Sequence, residues 1–431
     1  MPPFVPTANP GLAPLRATLG NGVVVLAKET RKTPAVAINL AMRAGSICDP
    51  PGLQGATHLL ARVIDRGTAG RSADEIAEEI DGRGISLAMT VTRHLFSVVC
   101  TCLAKDFEVI LALLGDILIS PTLPERELAA RKGEVITAIR QDDDSPAVRA
   151  GEALMAMLYG EQHPYGRRAK GSVEIIEELT RDRLVALHAE RFAPGELSAV
   201  IVGDVDASRA LDAARRVFGG WRADAPAPVP LPPVERWSMR RRRVIPMMNK
   251  AQTDIAYGFT TITRRDPAYY AYWVMNVALG QYALGGRLGD SIRERHGMAY
   301  YVSSALDANL LEGPLVIRAG VSPANVERAI ESIDEELARL RRDGLAEKEL
   351  KDMQQFLIGS MPRALEANAG IANFLQATEF FGLGLDYDRR LPGILAAVTL
   401  DEVQAAARQA VDPARATIVV AGPYADTDGG I

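Results

Sequence analysis

The stretch GATHLLARVIDRGT, residues 55–68, contains the pieces of a zinc-binding spacing and lacks most of its chemistry. Residues at i and i+4 share one face of a helix. In a His-x-x-Glu-His pattern two imidazoles therefore grip one zinc ion while the glutamate between them activates water. Here His58 opens that spacing, but Ala61 stands at the base position and Arg62 at the second imidazole position. One imidazole makes no zinc site, which takes three or four ligands. A guanidinium keeps its charge in a protein, and about 4 Å from a divalent ion it is repelled by about 8 kcal/mol at an effective dielectric of about 20. No metal is expected here. His58 is expected to be a polar side chain on a packed helix, bonded to nearby backbone.

Other reactive residue types offer no second site. His94, His163, His188 and His296 are scattered, with no i, i+4 pair or acidic companion. No Gly-x-Ser-x-Gly elbow occurs, and Cys48, Cys100 and Cys102 sit in no nucleophile setting. Three cysteines make neither a disulfide framework nor a zinc ribbon, so reduced, partly buried thiols are expected. The acidic run QDDDSP, with Asp142–Asp144, reads as a solvated loop ahead of a helix. The glycine-rich LGQYALGGRLGDS, Leu279–Ser291, lacks the Lys-Ser/Thr ending of a phosphate cradle and reads as a flexible lip. The run Arg240–Arg243 follows prolines and reads as a solvated linker edge.

The whole chain limits the function further. Its 431 residues suggest two or three domains, and 48% hydrophobic with 24% charged residues supplies large cores. A net charge of −5 argues against nucleic-acid binding. No run of 18 or more apolar residues occurs, so no membrane span is expected. The opening MPPFVPTANPGLAPLRATLGNG lacks a basic start and an apolar core, so export is not expected and the cytoplasm is.

The elements that must position any site come in two copies. LPERELAARKGEVITAI from Leu123 resembles LAEKELKDMQQFLIGSM from Leu345. TRDRLVALHAERFAPGELSAVIVGDVD from Thr180 resembles TLDEVQAAARQAVDPARATIVVAGPYAD from Thr399. Both pairs lie about 220 residues apart, as two copies of one domain require. Between the copies, RADAPAPVPLPPVERW (residues 222–237) is stiff with proline. The expected division is 1–221, a linker at 222–243, and 244–431. GVVVLAKE, AVAINLAMRAG, HLFSVVCTCLA and LSAVIVGDV carry strand character, whereas ADEIAEEIDGRG and FEVILALLGDIL carry helical spacing. These segments imply an α+β architecture, two homologous sandwiches with helices packed on a largely antiparallel sheet.

The series LGNGVVVLAKE, RAGSICDPPGLQGATHLL, DRGT, HPYGRRAKGS and VIVGDV, followed by LGGRLGDSIRERHGMAYYVSS, resembles the M16 (pitrilysin-type) zinc peptidases and their mitochondrial processing-peptidase relatives. The likeness runs over almost the whole chain. It implies that His58, Ala61 and Arg62 occupy the zinc-motif positions and that Ala138 occupies the third ligand's, so three of four functional groups are missing. It also implies a substrate-holding role for Arg293 and Tyr300, with Arg295 as the alternative if the register slips by two. A guanidinium can clamp a carbonyl or carboxylate, and a phenol can hydrogen-bond the scissile group. The resemblance thus implies a non-catalytic, peptide-binding subunit of a heterodimeric metallopeptidase, with zinc in the partner and no cofactor in this chain. The alternatives are a scaffold protein without peptide binding and a freestanding peptide-binding pseudoenzyme.

Overall fold

The computed structural model of the chain describes residues 11–425, in two compact units. The first ten residues, on which the expectation about export partly rests, lie outside the described range. One unit comprises residues up to Ile139 with Arg168–Pro230 and Pro362–Arg390. The other comprises Arg140–Arg167, Leu231–Met361 and the chain from Leu391 on.

The first unit is built on strands β1 (Leu15–Thr18), β2 (Val24–Glu29), β3 (Ala35–Met42), β4 (Ser86–Val91), β5 (Phe96–Leu103) and β6 (Leu197–Gly203), in the order β1-β2-β6-β3-β5-β4. The second has β7 (Arg241–Pro246), β8 (Thr253–Thr260), β9 (Ala299–Leu306), β10 (Pro314–Val321) and β11 (Thr417–Gly422), in the order β7-β11-β8-β10-β9. Apart from the extra β1, the two orders are one topology. In each, a single parallel pair (β2 with β6, β7 with β11) joins an otherwise antiparallel sheet. The α+β fold and its internal repeat are those expected from the sequence.

Strand alternation explains how the first sheet is covered on both faces. Val36, Ile38, Leu40 and Met42 of β3 point into a core shared with helices Phe107–Ile119 and Ala207–Phe218. Ala37 on the opposite face joins Leu26, Val200 and Val202 beneath Ile371, Ala372 and Leu375 of helix Asn368–Phe381. That helix comes from the second half of the chain. Its contact is partly polar: Asn39 donates to Asn373 Oδ1 at 2.9 Å, and Asn368 donates to the Ala35 backbone carbonyl at 2.9 Å. Gln376 also bonds the Ser198 hydroxyl.

The second sheet receives the reciprocal element. Helix Pro146–Tyr159, from the first half of the chain, lies on β8 and β11 and buries Ala150, Leu154 and Leu158. Gly258 of β8 lets Leu154 press against the strand, since a Cβ there would lie 2.9 Å from the leucine Cδ2. Each fully buried leucine contributes roughly 1.5–3 kcal/mol. A division of the chain at 222–243 would leave both helices with their own halves, whereas each belongs to the other compact unit.

Residues 221–238 carry no regular element. The basic run beyond them differs from expectation: Arg241–Arg243 open β7, which pairs with β11. Its charges have partners remote in sequence, Arg240 on Asp334 at 2.7 Å and Arg242 on Glu327 at 2.6 Å. Arg241 lies over the Trp237 ring at 3.6 Å. The acidic run differs as well. Asp142 and Asp143 form the last turn of helix Glu125–Asp143, and Asp144 pairs with Lys250 at 2.6 Å. No helix among the described residues is long and apolar enough to cross a membrane.

Candidate functional site

His58, Ala61 and Arg62 lie on helix Ala56–Val63, whose N-terminus is closed by the buried carboxylate of Asp49. Asp49 accepts from the Gly55 and Thr57 amides, each at 2.8 Å, and from the Thr57 hydroxyl at 2.6 Å. A carboxylate at a helix start satisfies otherwise orphaned N–H groups and complements the dipole. Gly55 and Gly171 make a close crossing just before the helix. A Cβ on Gly55 would lie 2.3 Å from the Lys170 carbonyl oxygen, and one on Gly171 would lie 2.1 Å from that of Gln54. This explains two glycines that the sequence showed only as motif letters. Asp49, in SICDPPG, went unnoticed there because its partners depend on how the loop folds back.

The helix buries Leu59, Leu60 and Val63 completely. His58 is half-buried, Ala61 is buried and Arg62 is exposed, making no ion pair among the described residues. Ala138 is half-buried on helix Glu125–Asp143, which passes the end of the His58 helix where Arg131 and Glu127 act on Asp65. Burial, above all, raises the Asp65 carboxyl above its ordinary value. Among the described residues no group of three or more His, Cys, Asp or Glu side chains could hold a metal ion. One imidazole, one guanidinium and two methyl groups do not fit zinc.

Arg293 and Tyr300 lie in the other unit, on consecutive elements. Gly289–Arg295 is a π-helix, a form frequent at functional sites, and it packs along β9. Arg293 is exposed, and among the described residues its one ion pair is a long 3.9 Å contact with the adjacent Glu294. Arg295 is engaged by Asp290 at 3.1 Å and by the buried Glu336 at 3.6 Å. Tyr300 is 66% exposed, and its hydroxyl makes no hydrogen bond among the described residues. The register of β9 on β10 slips beside it: Tyr301 faces Gly320 and Ala299 faces Val321, so Tyr300 is the extra residue of a β-bulge.

The glycine-rich segment, expected as a lip, is packed at its glycines, while Gln281, Ala283 and Leu284 form an exposed turn. A Cβ on Gly286 would lie 2.4 Å from the Ala278 carbonyl oxygen, and one on Gly280 would lie 2.4 Å from the Ser304 amide nitrogen. Arg287 adds a two-pronged pair to Glu349 at 2.7 and 2.5 Å and donates to the Gly344 carbonyl at 2.9 Å.

Three of the remaining histidines are held in the fold, whereas His296 is exposed at the end of the π-helix. His163 accepts the Tyr165 amide through Nδ1 at 3.0 Å, and its Nε2 lies 3.2 Å from the Pro232 carbonyl oxygen, a donor position that selects the neutral Nε2–H tautomer. His188 Nε2 meets the Leu118 carbonyl at 2.9 Å and its ring stacks on Phe192. Burial lowers the pKa of both. His94 is pushed down to about 4, first by burial and then by Arg93. The three cysteines are free and buried.

Two family models match the chain. The one described as insulinase (peptidase family M16) covers residues 24–168, and peptidase M16 inactive domain covers 178–357, together well over half of the sequence. An uncharacterised zinc protease of Mycobacterium leprae is 28% identical over 421 residues, 95% of this chain and 92% of that protein. The solved peptidase M16 inactive domain from Pseudomonas fluorescens matches with a TM-score of 0.89 at 26% identity, over 97% of this chain and 99% of that one. The periplasmic protease PqqL from Escherichia coli matches at 0.79 and 18% identity, over 97% of this chain and 46% of that one. With both domain models matched in order on two copies of one sheet topology, the chain belongs to the M16 peptidase family.

Proposed function

We propose that this chain is the non-catalytic, substrate-binding subunit of a two-chain M16-type zinc metallopeptidase. Its partner, a related chain with an intact His-x-x-Glu-His, supplies the zinc and the general base. This chain supplies Arg293 to clamp a backbone carbonyl or carboxylate of the peptide and Tyr300 to donate to the scissile group. The carrying observation is the contrast between a helix that keeps only the His58 imidazole of the zinc motif and an exposed Arg293 and Tyr300 with little else to hold. Arg295 is the poorer candidate because Asp290 and Glu336 already engage it.

The test mixes this chain with a zinc-bearing homologue and follows cleavage of a quenched fluorescent peptide. Arg293→Ala and Tyr300→Phe should each reduce kcat/KM of the mixture about tenfold, the effect of losing one hydrogen bond to a charged or reacting group. Unchanged hydrolysis by the double variant would reject peptide binding and leave a scaffold.

A further inference from the structure

In β9, alternation places Val302 and Ser304 on the buried face and Ser303 and Ala305 on the exposed face. A regular strand would put residue 300 on the same face as Val302, pointing inward. The observed order is different: Ala299 is buried, Tyr300 is exposed, Tyr301 is half-buried and Val302 is buried. The extra residue at the bulge reverses the phase, so the two tyrosines stand on the same outer side.

Something must hold that reversal, because a bulge forfeits ladder pairing. Tyr301 reaches over β10 to β8, where its hydroxyl donates to Asp254 Oδ1 at 2.5 Å. It can cross because Gly320 of β10, its register partner, has no side chain: a Cβ there would lie 2.5 Å from the Tyr301 ring and 2.3 Å from Gln252 Nε2. Gln252 donates to the same Asp254 oxygen at 3.1 Å, and Asp254 is buried. Burial, with Asp254 alongside, keeps the Tyr301 phenol protonated as the donor.

We propose that Tyr301, Gly320 and Asp254 form a strap across three strands that pins the β9 bulge and so presents Tyr300 for peptide binding. Tyr301 and Asp254 are positioning residues; neither touches the peptide. The presentation of Tyr300 stands on the register alone, while its use rests on the function proposed above.

Two measurements separate these layers. The first uses the full chain by itself. All three native cysteines are buried, so a thiol introduced by Tyr300→Cys is the one that a maleimide reaches quickly. Adding Tyr301→Phe, or independently Gly320→Ala, should slow that labelling several-fold as the strand relaxes toward regular register. Adding Asp254→Asn, which keeps an acceptor, should not. Either of the first two suffices if the other fails to fold, and unchanged labelling overturns the strap.

The second measurement is peptide hydrolysis by the mixture with the zinc-bearing homologue. Tyr301→Phe should lower kcat/KM about tenfold, as Tyr300→Phe does, and Asp254→Asn should stay near wild type. If Tyr300→Phe lowers hydrolysis while Tyr301→Phe leaves kcat/KM unchanged, the positioning role is wrong. If Tyr300→Phe itself has no effect, the functional reading fails, and the labelling result still decides the strap.

Discussion

Helix Ala56–Val63 and the segment Gly289–Leu306 make opposite use of their surroundings. At the first, the supports are complete: Asp49 closes the helix, Gly55 crosses Gly171, and Leu59, Leu60 and Val63 fill the core. Its chemistry-bearing positions hold Ala61 and Arg62. At the second, the supports are irregular, a π-helix followed by a bulged strand, and the reactive side chains Arg293 and Tyr300 point outward. The comparison separates two kinds of constraint. Packing and capping preserve a helix whether or not it binds zinc, because they act through groups other than the ligands. Backbone irregularity costs ladder bonds, and it makes sense where it aims a side chain.

The largest expected effect restores what the first region lacks. Arg62→His with Ala138→Glu gives His58 two companions, and zinc affinity should rise at least about a thousandfold over wild type, since three ligands suffice for a site. Calorimetric titration with zinc measures it. No gain would mean that the framework has drifted and that the contrast with the second region is overstated.

Next comes the support itself. Asp49→Ala leaves two buried amides and a hydroxyl without their acceptor and should cost about 3 kcal/mol in denaturant unfolding. A loss below about 1 kcal/mol would show that the helix does not depend on its cap.

A pH dependence is expected in the first region. The loop carrying Asp49 is hydrogen-bonded to the turn before β5: Gly45, Ser46 and Ile47 donate to the carbonyls of His94, Thr92 and Arg93. His94 has a folded pKa of about 4 against 6.5 when unfolded. Below pH 6.5 the unfolded chain takes up a proton that the folded chain resists until about pH 4. Stability from this group therefore falls as pH drops through that window and is level below it. Between pH 7 and 5 the loss is about 2 kcal/mol. Hydrogen exchange should report it as weaker protection at residues 45–63 with Gly289–Leu306 unchanged, and His94→Gln should abolish the difference.

The smallest effect distinguishes two arginines. Arg295→Ala should cost under about 1 kcal/mol of stability, as half-exposed ion pairs do, and Arg293→Ala should cost less still. In the two-chain hydrolysis assay the order should invert, with Arg293→Ala the more damaging.

Much of this was legible in the sequence, because periodicity reports local structure. The strands VVLAKE, AVAINLAM and LSAVIVG and the helix FEVILALLGDILI occur where their patterns put them, and the second copy follows the first. Periodicity names a buried face, however, and not what covers it. Nothing in the pattern of Pro146–Tyr159 or Asn368–Phe381 says which sheet each helix will cover. The arginines at and just before the start of β7 looked solvated because Glu327 and Asp334 are about 90 residues away along the chain. In the candidate site, Arg293 and Tyr300 were legible as residue types in a motif. The bulge was not, because AYYVSS reads as an ordinary strand until Gly320 and Asp254 lie beside it.

If the proposed function is right, catalysis belongs to the pair and to neither this chain alone nor its partner at full rate. Peptide hydrolysis should be measured for this chain alone, for a zinc-bearing homologue alone and for the mixture, each with and without a chelator. The expected result is no cleavage by this chain and chelator-sensitive cleavage by the mixture well above the homologue alone. Chelator-sensitive cleavage by this chain alone would contradict it.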